Sequence, residues 1–187
     1  MQWLNDSRLR PLHVWFVRLR WVLVLVGLVP FLYLAEGVPL WPALAFLVPG
    51  ELLQLWAAAN LNKNENLAES GPYAWIRNPM YGGRFLVGCG LVLLLNVRWF
   101  VLPLYVIVYC LYAHSRVLRE EDRLKVYLGD PYLDYCRRVN RWFPRWPRRG
   151  GRSLTWSWRS VLRNHQLRVT LALLVLLALT VARRELA

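Results

Sequence analysis

The stretch GPYAWIRNPMYGG, Gly71 to Gly83, stands between two apolar runs, and the rest of the chain reads outward from it. It holds too many turn residues for an ordinary helix. Pro72 and Pro79 turn Gly71 and Asn78 away from helical dihedrals, which predicts two kinks close together. Gly82 and Gly83 let the chain approach a neighbour or a ligand closely where the next helix begins. A bare connector between membrane helices does not need Tyr73, Trp75, Arg77, Asn78 and Tyr81 in so short a span. On the residues alone, an interfacial loop with snorkelling aromatics accounts for the stretch about as well as a binding site does.

Composition bounds the class. A chain of 187 residues suits one domain, yet 57% hydrophobic residues exceed the ordinary share of a soluble domain. The net charge of +13 comes almost wholly from arginine, with Lys63 and Lys125 the only lysines. Such a balance fits nucleic acid or an anionic membrane surface. Long apolar runs and eleven tryptophans, a residue of bilayer interfaces, decide for the membrane. The basic residues flank the apolar runs and no nucleic-acid-binding fold is recognisable, so nucleic acid is not an expected partner. Cys89, Cys110 and Cys136 stand singly, read as buried thiols without a disulfide framework. His13, His114 and His165 are equally dispersed, and no metal site is expected.

Taken in order, a polar start with Arg8 and Arg10 leads into an apolar run from Trp15 to Ala35, long enough to span if tilted. Arg18 and Arg20 in its first turns can snorkel. No small-residue cleavage site follows Leu34, so this run reads as a retained helix and not a signal peptide. Val38 to Ala59 forms a second span, with a break or kink expected at Pro49-Gly50-Glu51. Glu51 at membrane depth has two readings: a functional carboxyl facing the bundle, or one satisfied by neighbours at a helix break. Gly82–Val97 and Trp99–Ala113 are each short of the ~30 Å hydrocarbon thickness. They read as a helical hairpin whose second arm continues past the membrane through Arg116, Glu120 and Arg123. Gly88-Cys89-Gly90 reads as helix packing. Arg148 to Arg152 is a basic connector, Leu154–Leu167 an interfacial helix facing anionic headgroups, and Leu167–Ala182 a last span.

The expected fold is therefore an all-α integral membrane protein of about five transmembrane helices, a single domain over 1–187. The N-terminal arm, Asn60–Tyr81 and Ser115–Arg168 fall on one side and carry most arginines, which the positive-inside rule makes cytoplasmic. Arg183 and Arg184 conflict with that placement if the last run spans.

RNPMYGG, Arg77 to Gly83, resembles the R-H/N-P-x-Y-x-G signature of the isoprenylcysteine carboxyl methyltransferase and phospholipid methyltransferase family. Arg119-Glu120-Glu121, Leu124, Gly129, Tyr132, Tyr135, Val139, Arg141 and Pro144 are similar to its second signature, an acidic pair followed by spaced tyrosines, arginine and proline. Together the blocks cover residues 65–144, in the family's order; residues 145–187 hold the basic segment and last helix. The resemblance implies S-adenosyl-L-methionine as cofactor at a cytoplasmic-face site. It implies donor contacts from Glu65, Asn66, Leu67, Ala68, Tyr73, Asn78, Pro79, Met80, Tyr81 and Glu120, supported by Arg77, Gly83 and Glu121. Chemically, a carboxylate such as Glu120 suits ribose hydroxyls and an ammonium, and aromatic rings suit adenine. Family members often carry histidine where this chain has Asn78, which hydrogen-bonds but cannot act as acid or base.

Arg116 lies four residues before Glu120, on the same face of a helix. As an exposed pair the two contribute little. In the family pattern the arginine at this spacing clamps the acceptor, and a guanidinium forks onto a carboxylate with two parallel hydrogen bonds. A carboxylate is ionised near neutral pH and needs no general base, whereas an amine must first lose a proton. No histidine lies in either block. These points favour O-methylation of a carboxylate on a lipidic or prenylated acceptor entering from the bilayer. Phospholipid (ethanolamine) N-methylation is the second enzymatic reading, and a non-catalytic membrane anchor is the reading from another class.

Overall fold

A computed structural model describes residues 40–61, 67–95, 100–146, 156–164 and 166–186. The expected first span, Trp15 to Ala35, lies outside the described residues, as do the hairpin turn at 96–98 and the connector Arg148–Arg152. Among the described residues the regular structure is entirely helical: α1 (Leu40–Asn60), a single 3-10 turn (Gly71–Ala74), α2 (Pro79–Leu94), α3 (Val101–Leu128), α4 (Asp130–Arg138), α5 (Trp158–Arg163) and α6 (Gln166–Leu186).

α1 and α3 are long and apolar enough to cross a membrane, by length and composition. α2 and residues Gln166–Ala182 are apolar but shorter. α1 runs unbroken through Pro49, contrary to the break expected at Pro49-Gly50-Glu51. Proline removes one backbone bond, but a packed neighbour helix can hold the segment in place. Here that neighbour is α2. A Cβ on Gly50 would lie 2.9 Å from the Gly83 carbonyl oxygen, and one on Gly83 would lie 2.5 Å from Gln54 Cγ. The two helices thus cross backbone against backbone. Gly90 extends the crossing, with Leu47 Cγ 2.6 Å and the Ala43 carbonyl 2.9 Å from its virtual Cβ. Ala43, Leu47, Val87 and Leu94 form the core there, with Leu173 and Leu177 of α6 packed on it.

α2 and α3 run antiparallel, as the hairpin requires. The Tyr109 hydroxyl donates to the Tyr81 carbonyl at 2.8 Å, and Tyr105 meets Phe85 one turn further along α2. Gly88 gives the Tyr105 ring its room, so the Gly88 and Gly90 pair packs two different helices. α3 continues without interruption through Arg116, Glu120 and Arg123. Leu104, Ile107, Val108 and Leu111 lie exposed along it, an apolar face of a helix long enough to cross a membrane.

α3 ends at Gly129, whose φ of +62° suits glycine and reverses the chain into α4. Asp130 and Pro131 open α4, and Tyr132, Tyr135 and Val139 bury its inner face with Leu67 and Leu128. The interfacial helix expected over Leu154–Leu167 is shorter: α5 ends at Arg163 and α6 starts at Gln166. α5 also packs on the rest of the chain. Ser160 and Val161 are buried, and Asn164 Nδ2 donates to the carbonyls of Ala58 and Leu61, both at 3.0 Å. Ala58 and Leu61 lie at the C-terminal end of α1, where carbonyls outnumber intrahelical donors, and an amide side chain seats there beside the Leu61 N–H bond to Ala58.

Glu51 takes the second of its two sequence readings. Its Oε1 accepts from Gln166 Nε2 at 3.0 Å and Thr170 Oγ1 at 2.5 Å, and Oε2 from Gln54 Nε2 at 3.3 Å. The carboxyl joins α6 to α1. The cysteines are free, but only Cys89 is buried; Cys110 is exposed and Cys136 half-buried.

Candidate functional site

The segment before α2 folds as its prolines demand. Gly71 has φ +59°, and a Cβ there would lie 2.5 Å from the Asn60 amide. Asn78 is non-helical at φ −124°, ψ 55°, and its carbonyl accepts from the Tyr81 N–H at 3.2 Å as α2 begins. The segment is then stitched to the chain after α4. The Arg77 N–H donates to the Asn140 carbonyl and the Arg145 N–H to the Trp75 carbonyl, each at 2.9 Å. Asn78 Nδ2 reaches the Arg141 carbonyl at 3.4 Å, and Trp75 meets Trp146 edge-on at 4.8 Å. The Tyr135 hydroxyl donates to the Tyr73 carbonyl at 2.8 Å. The two signature blocks therefore form one body.

The acidic pair divides its work. Glu121 is 2% exposed and gripped by two arginines, one from each block. Arg141 Nη2 lies 2.7 Å from Oε2, its Nε 3.1 Å from both oxygens, and Arg77 Nη1 lies 3.3 Å from Oε1. The carboxylate beside it keeps the Arg141 guanidinium charged above its ordinary range. Arg77, 13% exposed, also places Nη1 2.8 Å from Cys136 Sγ, while its buried Nε has no hydrogen-bond partner among the described residues. A buried charge is tolerable only when paired and hydrogen-bonded, and Glu121 is held so from both sides. It is an internal clip.

Glu120 faces the other way, 44% exposed. Its Oε1 accepts from the Tyr81 hydroxyl at 3.0 Å, joining the first block to the second at the surface. Arg116 lies 4.0 Å from that same oxygen and is 46% exposed, a loose i,i+4 contact. Tyr81 itself is buried against Ala113 and Val117, with Tyr109 and Trp142 around them.

The structure thus brings Tyr73, Asn78, Pro79, Met80, Tyr81, Glu120 and Arg116 to one end of the α2–α3 pair. Tyr73 is a buried wall: burial raises its hydroxyl well above the ordinary tyrosine value, and the charges of Arg84 and Glu120 both reach it. Pro79 is buried and Met80 half-buried. Leu67 packs on Tyr132 and Tyr135, and Ala68 is half-buried beside it in sequence. Glu65 and Asn66 lie outside the described residues. Gly83 serves the α1–α2 crossing, and Arg77 and Glu121 support the site from beneath. Three participants escaped the sequence reading. Cys136 and Asn140 meet Arg77 only through a reversal some sixty residues downstream. Arg84 directly follows the quoted stretch.

As a chemical set, the half-exposed carboxylate of Glu120 offers acceptors of the kind an ammonium or hydroxyls require, and the buried rings of Tyr73 and Tyr81 wall it from within. Residues 53–130 match the family model described as phospholipid methyltransferase. Over 78 residues the chain is 31% identical to the protein-S-isoprenylcysteine O-methyltransferase of Tribolium castaneum, covering 42% of this chain and 27% of that one. The chain thus matches about a quarter of that relative's length. The resemblance to the isoprenylcysteine carboxyl and phospholipid methyltransferase family holds on both comparisons.

Proposed function

We propose that the protein is an S-adenosyl-L-methionine-dependent membrane methyltransferase of the isoprenylcysteine carboxyl methyltransferase type, methylating a carboxylate on a lipidic or prenylated acceptor. One observation carries the reading: the Tyr81–Glu120 contact, 3.0 Å long, joins two signature blocks 39 residues apart at an exposed carboxylate. Glu120 accepts hydrogen bonds from the donor's ammonium or ribose hydroxyls. Asn78 to Tyr81 line the same place, and Tyr73 closes it from within.

The donor, when bound, supplies a methyl group already activated by its sulfonium. The chain's task is to hold two partners in line, and positioning can account for much of the rate. Arg116 forks onto the acceptor carboxylate. Held by Glu120, Tyr73 and Asn78 to Tyr81, the donor would supply its methyl group to an oxygen of the carboxylate that Arg116 orients, and would leave as the neutral thioether. No proton need move, which suits a site where Asn78 stands in place of a titratable side chain. The acceptor enters laterally from the bilayer, the site faces the cytoplasm, and the arginine-rich segment after α4 rests on anionic headgroups.

Phospholipid N-methylation is the second reading, favoured by the description of the matching family model. Calorimetry with S-adenosyl-L-methionine, on protein in detergent and in lipid nanodiscs, tests the donor site. Saturable binding lost in Glu120→Ala is expected. No binding in either environment would favour a non-catalytic anchor. Incubation with membranes and methyl-labelled donor then separates the acceptors, a labelled ester from a labelled amine.

A further inference from the structure

Arg84 stands on α2 three residues beyond Tyr81. Its guanidinium carbon lies 5.7 Å from the centroid of the Tyr81 ring, within reach of the ring's negative face. Its charge also reaches the Tyr73 hydroxyl, as that of Glu120 does. Opposite charges therefore bracket Tyr81, Glu120 bonded to its hydroxyl and Arg84 beside its ring. Among the described residues no carboxylate lies within ion-pair distance of Arg84, and the residue is exposed. Five residues into α2, it sits roughly 7.5 Å along the helix from Pro79, near the end where the site lies. A guanidinium held there beside a ring, without an acid of its own, is available to an anion.

We propose that Arg84 is a second acceptor-binding guanidinium, which together with Arg116 holds the carboxylate of a lipidic acceptor beside Tyr81 and Glu120. The assignment rests on the methyltransferase reading above and adds to it the orientation of the acceptor. A carboxylate has about four lone-pair sites. A fork from Arg116 occupies two of them and leaves the group free to swing about the bond joining it to the rest of the acceptor. One further bond from Arg84, on the other arm of the hairpin, stops that swing and still leaves a lone pair for attack. Because α2 and α3 are fastened by the Tyr109–Tyr81 bond, the two guanidiniums are held on a rigid frame. The two arginines then select an acceptor with a compact, exposed anion over one whose only polar group is neutral.

The test measures binding, independently of turnover. The probes are an S-farnesylated cysteine with a free carboxylate and its methyl ester, titrated into the protein in nanodiscs of zwitterionic lipid and in nanodiscs containing anionic lipid. Donor affinity is measured in parallel. In Arg84→Gln, affinity for the carboxylate probe is expected to fall about tenfold, the scale of one charge-assisted hydrogen bond. Affinity for the ester and the donor stays within about twofold, and Arg84→Lys recovers part of the loss. Unchanged carboxylate affinity in Arg84→Gln overturns the assignment, as does an equal loss for the ester. A loss of donor affinity instead would move Arg84 to the donor site, and an effect confined to anionic nanodiscs would make it a headgroup contact; either result also overturns the proposal. A wild-type protein that binds donor but neither probe removes the carboxylate acceptor itself. Wild-type binding of the acid with Arg84→Gln unaltered removes only the role of Arg84.

Discussion

Arg141 closes on Glu121 with two nitrogens, Nε at 3.1 Å from both carboxylate oxygens and Nη2 at 2.7 Å from one. The acid lies on α3 and the base beyond α4, so this contact fixes the direction in which the chain returns to the segment ahead of α2. With Arg77 on the far side of the same carboxylate, the geometry sets two neighbouring glutamates to different tasks.

Removing the buried member should be costly. Glu121→Ala leaves Arg77 and Arg141 facing each other without a counter-charge, and loss of one partner from a buried pair costs about 3–5 kcal/mol. Arg141→Ala is expected to cost less, because Arg77 still pairs the carboxylate. Thermal unfolding in detergent reads the order, and a Glu121→Ala protein as stable as wild type would remove the clip.

Glu120 and Arg116 should behave in the opposite manner. Their contact is long and half-exposed, so Arg116→Ala is not expected to shift the unfolding temperature appreciably, and Glu120→Ala should cost no more than its one bond from Tyr81. Glu120→Ala is expected to weaken donor binding roughly 10- to 100-fold, the range for a lost hydrogen bond to a charged group. Arg116→Ala should leave donor affinity nearly intact and abolish transfer, with poor rescue by lysine. Donor titrations and turnover on both single variants and the double variant complete the cycle. Two mild, similar variants would reduce the pair to a surface contact.

The glycines of the RNPMYGG block are expected to part company. A Cβ at Gly83 would press on Gln54 and on the Gly50 carbonyl, whereas the nearest atom to one at Gly82 is Leu53 Cδ2 at 3.7 Å. Gly83→Ala should therefore destabilise by about 1–3 kcal/mol through overpacking, and Gly82→Ala should be tolerated. Unfolding of the two variants side by side checks this, and equal stability would place the α1–α2 crossing elsewhere.

Burial raises the hydroxyls of Tyr73 and Tyr135 above their ordinary value of 10.0. The unfolded chain then ionises first, so their contribution to stability is complete below pH 10 and is lost as pH rises beyond it. Tyr135→Phe also deprives the Tyr73 carbonyl of its donor. It is expected to cost about 1 kcal/mol at neutral pH and to flatten the alkaline decline. A decline of unchanged steepness in Tyr135→Phe would argue against the buried hydroxyl as its source.

Much of this was legible in the chain because the signals are local. Proline and glycine spacing announces the turns at Gly71 and Asn78, and apolar length announces α2 and α3 and the run of α3 through Glu120. The shared placement of Tyr81 and Glu120 followed from the signature pattern. What escaped reading depends on packing at a distance. Pro49 looked like a break because its lost bond is visible in sequence, whereas the close backbone of α2 that holds α1 straight is not. Glu120 and Glu121 are indistinguishable as letters. Only the approach of Arg77 and Arg141 decides which one is buried. The ending of α5 at Asn164 likewise depends on carbonyls more than a hundred residues earlier.

The stitching of Trp75 and Arg77 to Arg145 and Asn140 sets an order of assembly. The stretch that matches the family model ends at residue 130, before any of those downstream partners. A nascent chain stopped there would own every proposed donor contact and would hold Arg77 through Glu121, but would lack the backbone bonds of Arg77 to Asn140 and of Trp75 to Arg145. That stitching can form only after synthesis has passed Arg145. A truncation between 130 and 145 is therefore expected to loosen the proposed site without touching one of its proposed donor contacts.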